Sequence, residues 1–197
     1  LLWTAGRVDA SRFRPESGRK LVLATAHRRE SFGAPLLQIC QALRTLADRP
    51  DVEVLLPVHP NPQVKPVVER LLGDHPRIRL CEPLAYPDMV GAMLACTLIL
   101  TDSGGIQEEA PSLGRPVLVL RDETERPEGI AAGSARLVGT DASRIVREAT
   151  ALLDEPAAES TLATGTNPYG NGRSAGAIVE ILRETGLFLS VAGKPLC

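Results

Sequence analysis

The segment "TDSGGIQEEAPSLGRPVLVL", residues 101–120, runs from the end of one apolar strand through a helix-like stretch into a second apolar strand. Both strands are continuously hydrophobic rather than alternating, which is typical of strands that are covered on both faces. Strand, helix and strand in this order form the repeating unit of a parallel sheet. The segment therefore predicts an α/β fold.

The same alternation of strands and helices continues on either side of this segment. Apolar runs predict strands at residues 20–26, 52–58, 77–83, 97–102, 116–120 and 135–139. Stretches with apolar residues at three- and four-residue steps predict helices at residues 35–48, 62–73, 86–95, 104–114, 141–154 and 174–185. This pattern indicates a doubly wound parallel sheet of the Rossmann-like type, in which ligands bind beyond the carboxyl ends of the strands.

Two glycines and two glutamates follow the strand that ends at residue 102. Ser103 is placed to cap the next helix, and Gly104 and Gly105 would let a ligand approach the first backbone N–H groups of that helix. These groups and the helix dipole favour an anion, whereas a carboxylate one turn later, on Glu108 or Glu109, can accept hydrogen bonds from ribose hydroxyls. Glycines at the start of the helix followed by glutamates one turn later therefore predict a site for a nucleoside diphosphate. In the alternative interpretation the glycines ease helix–strand packing and the glutamates complement the dipole.

Three further loops after predicted strands carry residues suited to an anion. His27 is followed by Arg28 and Arg29, and guanidinium groups beside an imidazole suit a diphosphate. His59 lies between two prolines that stiffen its loop. Arg126 stands in a charged loop, residues 121–129, and could form a second clamp. The alternative for each of these loops is an ordinary solvated surface.

Composition limits the classes of function. The chain has 197 residues, 44% of them hydrophobic and 23% charged, as in a globular protein. A net charge of −2 and 3% aromatic residues give no support to nucleic-acid binding. The longest apolar stretch, residues 89–100, is too short for a membrane span. The cysteines show no metal-type spacing, so we expect core thiols, no metal site and a cytoplasmic location; they are Cys40, Cys81, Cys96 and Cys197.

Four motifs, "AHRRESFG", "PVHPNP", "TDSGGIQEEAPSLGRPVLVLRDETERPE" and "TNPYGNG", occur in this order between residues 21 and 182. Together they resemble the non-hydrolysing bacterial UDP-N-acetylglucosamine 2-epimerases. The resemblance implies one half of a GT-B arrangement, in which two Rossmann-like domains hold a UDP-sugar in the cleft between them. This chain is similar to the C-terminal, nucleotide-binding half.

The resemblance also implies roles for individual residues. The positions that match substrate-binding residues are Ser103, Gly104 and Gly105 for the diphosphate, Glu109 for the ribose, Arg126 for a further substrate contact, and Leu84 and Met89 beside the uracil. His27 matches the active-site histidine of the family. Arg28 and His59 match residues of a second, allosteric site for UDP-N-acetylglucosamine.

The implied reaction interconverts UDP-GlcNAc and UDP-ManNAc by elimination and re-addition of UDP, for cell-surface polysaccharide biosynthesis. It needs no cofactor. The carboxylates that act at C2 should come from an N-terminal domain, so we expect this half alone to be inactive and the full enzyme to be a homodimer. Two alternatives remain open: a free-standing UDP-sugar binding module, and the donor-binding half of a GT-B glycosyltransferase.

The predicted domain limits follow from the same patterns. Residues 1–19 indicate a linker or the remnant of a preceding domain, and no resemblance is visible there. Residues 20–186 indicate the UDP-binding domain. Residues 187–197 stay unassigned.

Overall fold

The structure, a computed structural model, describes residues 1–15, 18–155 and 167–185. The chain divides into two compact units, residues 1–167 and 168–197. The second unit contains one described helix, α8 (Ser174–Glu184). The predicted tail at 187–197 lies outside the described residues.

The first unit holds a sheet of six parallel strands that confirms the predicted fold class. The strands are β1 (Lys20–Thr25), β2 (Val52–Pro57), β3 (Ile78–Cys81), β4 (Leu98–Thr101), β5 (Val117–Val119) and β6 (Ala135–Leu137). The helices are α1 (Leu2–Ala5), α2 (Ala34–Ala47), α3 (Lys65–Leu72), α4 (Tyr86–Ala95), α5 (Gly104–Glu109), α6 (Pro127–Ala131) and α7 (Ala142–Asp154). The strand order is β3-β2-β1-β4-β5-β6, the order of the doubly wound Rossmann fold.

Both faces of the sheet are buried, which explains why the strands are hydrophobic without alternation. Successive residues of a strand point to opposite faces. In β1, Val22 and Ala24 pack with α2, α3 and α7 on one face, and Leu21 and Leu23 pack with α4 and α5 on the other. Buried side chains on both faces therefore favour an apolar run in the central strands.

The segment before β1 packs on the sheet-bound helix α4. Phe13, in a short 3₁₀ helix (Ser11–Phe13), is 8% exposed and belongs to the apolar cluster that includes α4. A Cβ added to Gly91 of α4 would lie 2.9 Å from Cε2 of Phe13. Such a distance leaves no room for a larger residue, so glycine at this position permits the close approach of the ring.

The predicted helix at 104–114 is interrupted in the structure. α5 ends at Glu109, and a 3₁₀ helix (Ala110–Leu113) follows it up to Gly114, which has a φ of 64°. Pro111 lacks an N–H, and its ring clashes with the carbonyl four residues earlier, so the α-helical ladder cannot continue. No helix in the described residues is long and apolar enough to cross a membrane.

Candidate functional site

A pocket of about 340 Å³ lies where the strand order reverses, beyond the carboxyl ends of β1 and β4. The chain leaves β1 toward α2 on one face and leaves β4 toward α5 on the other, so a crevice opens between the two connections. The residues that line the pocket are Thr25, Ala26, His27, Pro57, His59, Pro83, Leu84, Met89, Ser103, Gly105, Ile106 and Glu109.

All ten residues to which the resemblance assigns a role lie in this pocket or at its edge. Seven line it: His27, His59, Leu84, Met89, Ser103, Gly105 and Glu109. The other three form the adjacent edge, because a Cβ added to Gly104 would lie 3.6 Å from Nη2 of both Arg28 and Arg126. Two guanidinium groups therefore stand over the start of α5.

The glycine turn offers its backbone to the pocket. A Cβ added to Gly105 would meet only Oγ of Ser103, at 3.9 Å, and the nearest atoms to a Cβ on Gly104 are the arginine side chains at 3.6 Å. The fold itself therefore does not need glycine at either position, and the packing interpretation does not account for the pair. Ser103 occupies the N-cap position, but its hydroxyl makes no capping hydrogen bond.

The two adjacent glutamates of α5 take different partners. Glu108 forms an ion pair with Nε of Arg126, which draws the guanidinium toward the start of the helix. Glu109 lies at the pocket and accepts a hydrogen bond of 2.9 Å from the hydroxyl of Tyr86. Burial and this bond raise the pKa of Tyr86, so the phenol stays a donor that orients the carboxylate. Of the two glutamates, Glu109 is therefore the one whose carboxylate faces the pocket, as predicted for binding a ribose, and Tyr86 orients it.

A third arginine, Arg121, links the loops after β1 and β5. Arg121, 8% exposed, pairs with Glu30 and with Glu125, whose oxygens lie 2.5 and 3.0 Å from its Nη atoms. Arg121 lowers the pKa of Glu125 to about 2. Oε1 of Glu125 also lies 3.9 Å from Nη1 of Arg28. The charged loop after β5 is therefore joined to the loop after β1.

Asp102 is the site residue that the sequence reasoning missed. It follows β4 directly, and its side chain is fully buried. Oδ2 accepts hydrogen bonds of 2.8 Å from the backbone N–H groups of His27 and Arg28, and Oδ1 lies 2.9 Å from Nδ1 of His27. Burial raises the pKa of this carboxyl, but the bonds from His27 and Arg28 outweigh it and lower the pKa overall. An acidic residue ending an apolar strand at the switch point was the available signal.

The two histidines of the site stack against each other. The ring centroids of His27 and His59 are 5.6 Å apart, with an angle of 20° between the planes. Nδ1 of His59 accepts a hydrogen bond of 3.2 Å from the backbone N–H of Asn61. The turn that holds His59 thus places its ring against the predicted active-site histidine. In the described residues no group of three or more His, Cys, Asp or Glu side chains could hold a metal ion.

Comparison with known proteins gives consistent matches. A family model described as UDP-N-acetylglucosamine 2-epimerase matches residues 2–183. The match includes most of the first nineteen residues, where no resemblance was visible. The chain is 49% identical over 172 residues to the UDP-N-acetylglucosamine 2-epimerase of Escherichia coli O157:H7, covering 87% of this chain and 46% of that protein. Against the enzyme of Bacillus subtilis strain 168 it is 47% identical over 164 residues, with coverages of 83% and 43%.

Solved structures show the same relationship. UDP-GlcNAc 2-epimerase from Neisseria meningitidis bound to UDP-GlcNAc superposes with a TM-score of 0.83 at 41% identity, over 93% of this chain and 49% of that one. The S. aureus MnaA–UDP co-structure gives 0.81 at 42% identity, over 91% and 49%. Neighbours of lower identity include a glycosyltransferase, at 16%, which shares the GT-B type of fold. The chain spans about half the length of the curated relatives it matches.

Proposed function

The chain belongs to the UDP-N-acetylglucosamine 2-epimerase family, and we propose that it supplies the UDP-binding half of an enzyme that interconverts UDP-GlcNAc and UDP-ManNAc. One observation carries the proposal: Ser103, Gly105 and Glu109 line a single pocket at the switch point, and two guanidinium groups stand over Gly104. Donors for a diphosphate and an acceptor for a sugar hydroxyl thus meet at one place.

The proposed binding mode follows the chemistry of each group. The diphosphate lies against the backbone of the glycine turn, facing Arg28 and Arg126. The ribose hydroxyls donate to Glu109. The uracil lies against the apolar side chains of Leu84 and Met89, which line the same pocket. Each of these roles agrees with the family resemblance, and each is a proposal for this chain.

The proposed reaction places a leaving group on this half of the enzyme. Elimination of UDP develops negative charge on the departing diphosphate, so donors that are already oriented there lower the barrier. His27, at the pocket, is the proposed active-site histidine. The carboxylates that exchange the C2 proton are proposed to lie in a further domain, like the one that makes up the other half of the relatives. Without it we expect no epimerisation.

Several wider roles are proposed on the resemblance alone. Arg28 and His59 are proposed to bind a second molecule of UDP-GlcNAc as an allosteric effector, and the stacked rings would bring that site within 5.6 Å of His27. A homodimer, a cytoplasmic location and a role in cell-surface polysaccharide biosynthesis are further proposals of this kind.

Calorimetric titration with UDP and with 2′-deoxy-UDP tests the binding mode. The parent chain should bind UDP more tightly than the deoxy compound, because a hydrogen bond to a charged group contributes about 1.5–3 kcal/mol, or roughly 10- to 150-fold. Glu109→Ala should weaken UDP binding and remove the difference between the two nucleotides. Glu69→Ala, on the exposed part of α3, is the matched control and should keep both affinities.

Two results would count against the proposal. A folded parent chain that gives no heat with UDP would have no competent nucleotide site by itself. A Glu109→Ala variant that still prefers UDP over the deoxy compound would place the ribose elsewhere. If UDP binds as expected, addition of the domain that makes up the other half of the relatives should restore epimerisation, whereas a free-standing binding module would gain none.

A further inference from the structure

Asp102 is buried behind the pocket and has no part in the proposed binding of UDP. Its side chain is fully buried, whereas that of His27 is 36% exposed. Oδ2 accepts hydrogen bonds from the loop after β1, at 2.8 Å from the backbone N–H groups of His27 and Arg28 and at 3.4 Å from the hydroxyl of Ser31. Oδ1 is buried and has no hydrogen bond from the described residues, and Nδ1 of His27 lies 2.9 Å from it. Because β1 and β4 are neighbours in the sheet, the pairing of the two strands brings Asp102 directly beneath that loop.

The close contact with the carboxylate fixes the tautomer of His27. A carboxylate carries only lone pairs, and a bare Nδ1 only 2.9 Å from Oδ1 would set its own lone pair against them, so Nδ1 must carry a proton. In the neutral ring the lone pair then belongs to Nε2. No hydrogen bond from the described residues reaches Nε2, and the ring lines the pocket. The neutral His27 therefore offers the pocket an acceptor.

The other two histidines of the chain have the opposite arrangement. Nδ1 of His59 accepts from the backbone N–H of Asn61, and Nδ1 of His75 accepts from the backbone N–H of Arg77. An accepting Nδ1 carries no proton, so the neutral rings of both must be protonated at Nε2. For His75 this agrees with the 3.1 Å contact between Nε2 and a carboxylate oxygen. His27 is thus unlike both other histidines of the sequence.

We propose that Asp102 is a positioning residue that holds His27 as the Nδ1–H tautomer and presents the bare Nε2 to the pocket. Its importance for the reaction rests on the proposed function, in which His27 is an active-site residue. When the ring takes up a proton, it takes it up at Nε2, and His27 then becomes a donor toward the pocket. Asp102 thereby determines which atom of His27 exchanges a proton with a bound molecule.

Asp102→Asn should reverse the tautomer of His27 while keeping a hydrogen-bonding side chain of the same size at position 102. The backbone N–H groups of His27 and Arg28 can only donate, so the amide oxygen of asparagine must take the place of Oδ2. The amide nitrogen then takes the place of Oδ1 and donates to Nδ1 of His27. Nδ1 becomes an acceptor, and the proton moves to Nε2. The pocket would face a donor in place of an acceptor.

Long-range ¹H–¹⁵N NMR spectra of the histidine rings test this directly. At about pH 8.5, roughly two units above the ordinary pKa of histidine, neutral rings show which nitrogen carries the proton. The parent chain should give one Nδ1–H ring, His27, and two Nε2–H rings. In Asp102→Asn all three should be Nε2–H. His59→Gln and His75→Gln each remove one set of signals and assign the spectrum.

Asp88→Asn is the matched control, because it makes the same change in an exposed carboxylate that pairs with Arg12. It should leave all three patterns as in the parent. A parent His27 protonated only at Nε2, or at both nitrogens, would overturn the proposal even if Asp102→Asn failed to fold. So would a folded Asp102→Asn chain that kept the Nδ1–H ring. These spectra are recorded without UDP, so they report the tautomer of His27 independently of nucleotide binding. Failure of UDP binding would refute the proposed function but would not change the tautomer that the spectra show.

Discussion

Replacement of Gly105 by alanine should change stability and UDP affinity in opposite directions. Gly105 lies in α5, and a Cβ there would meet only Oγ of Ser103, at 3.9 Å. Alanine therefore fits the folded chain, and it favours a helix over glycine by about 0.5–1 kcal/mol. For a domain of this size, that gain raises the melting temperature by about 1–4 °C.

The same methyl group should obstruct the proposed ligand. Gly105 lines the pocket, where the diphosphate is proposed to approach the backbone N–H groups. Loss of one hydrogen bond to a charged group costs about 1.5–3 kcal/mol, which corresponds to roughly 10- to 150-fold weaker binding of UDP. Thermal unfolding followed by circular dichroism and calorimetric titration with UDP measure the two effects on one sample.

Gly176→Ala provides the matched control. Gly176 lies in the first turn of α8, and a Cβ there would meet nothing within 4 Å. This variant should bind UDP as the parent does. If Gly105→Ala is stabilised and binds UDP with unchanged affinity, the diphosphate does not approach this turn. If it is destabilised, glycine is needed for packing, and our account of the turn is wrong.

Three further predictions concern the framework. Gly91→Ala should lower the free energy of unfolding in urea by about 1–3 kcal/mol, because its Cβ would meet the ring of Phe13. In a Phe13→Ala background the same substitution should lower it by much less. An equal loss of stability in the two backgrounds would contradict the docking of residues 1–13. Arg49 lowers the pKa of Asp51 to about 2, so this pair stabilises the fold above pH 4 and loses its effect as pH falls toward 2. Because the carboxylate is 43% exposed, the melting temperature of Asp51→Asn should lie at most about 4 °C below that of the parent at pH 7. Near pH 2 the two melting temperatures should coincide. A difference that stays constant down to pH 2 would refute this pH dependence. Burial raises the pKa of Cys40 to about 11, so iodoacetamide at pH 8 should label it only after unfolding, as peptide mass spectrometry would reveal.

The strands and the site were predictable from sequence for a common reason. In a doubly wound sheet each strand is apolar throughout, and its end is marked by the first polar residue. β1 ends at Thr25 and β4 at Thr101. His27 and Ser103 follow two residues after these ends, and parallel pairing brings their loops to one edge. The sequence could therefore indicate a shared site before any geometry was known. The resemblance added Leu84 and Met89, which lie at the pocket but carry no polar signal of their own.

Other features depend on contacts between distant parts of the chain. The docking of Phe13 on Gly91 joins residues 78 positions apart, and neither residue type indicates the other. The end of α5 follows from Pro111, whose effect on the helix the apolar pattern concealed. The role of Asp102 depends on which nitrogen of His27 faces it. A sequence pattern shows which residues end a strand, but not which atoms of them meet.

Mapping of UDP on the ¹⁵N-labelled chain by NMR tests the central claim most directly. Our account predicts that UDP shifts the backbone amide signals of residues 25–28 and 103–109, at the carboxyl ends of β1 and β4, with smaller changes near Leu84 and Met89. Amides on the surface between α2 and α7, such as that of Ser143, should not shift. Saturable shifts confined to that surface, or none in a folded sample, would contradict a UDP site at the switch point.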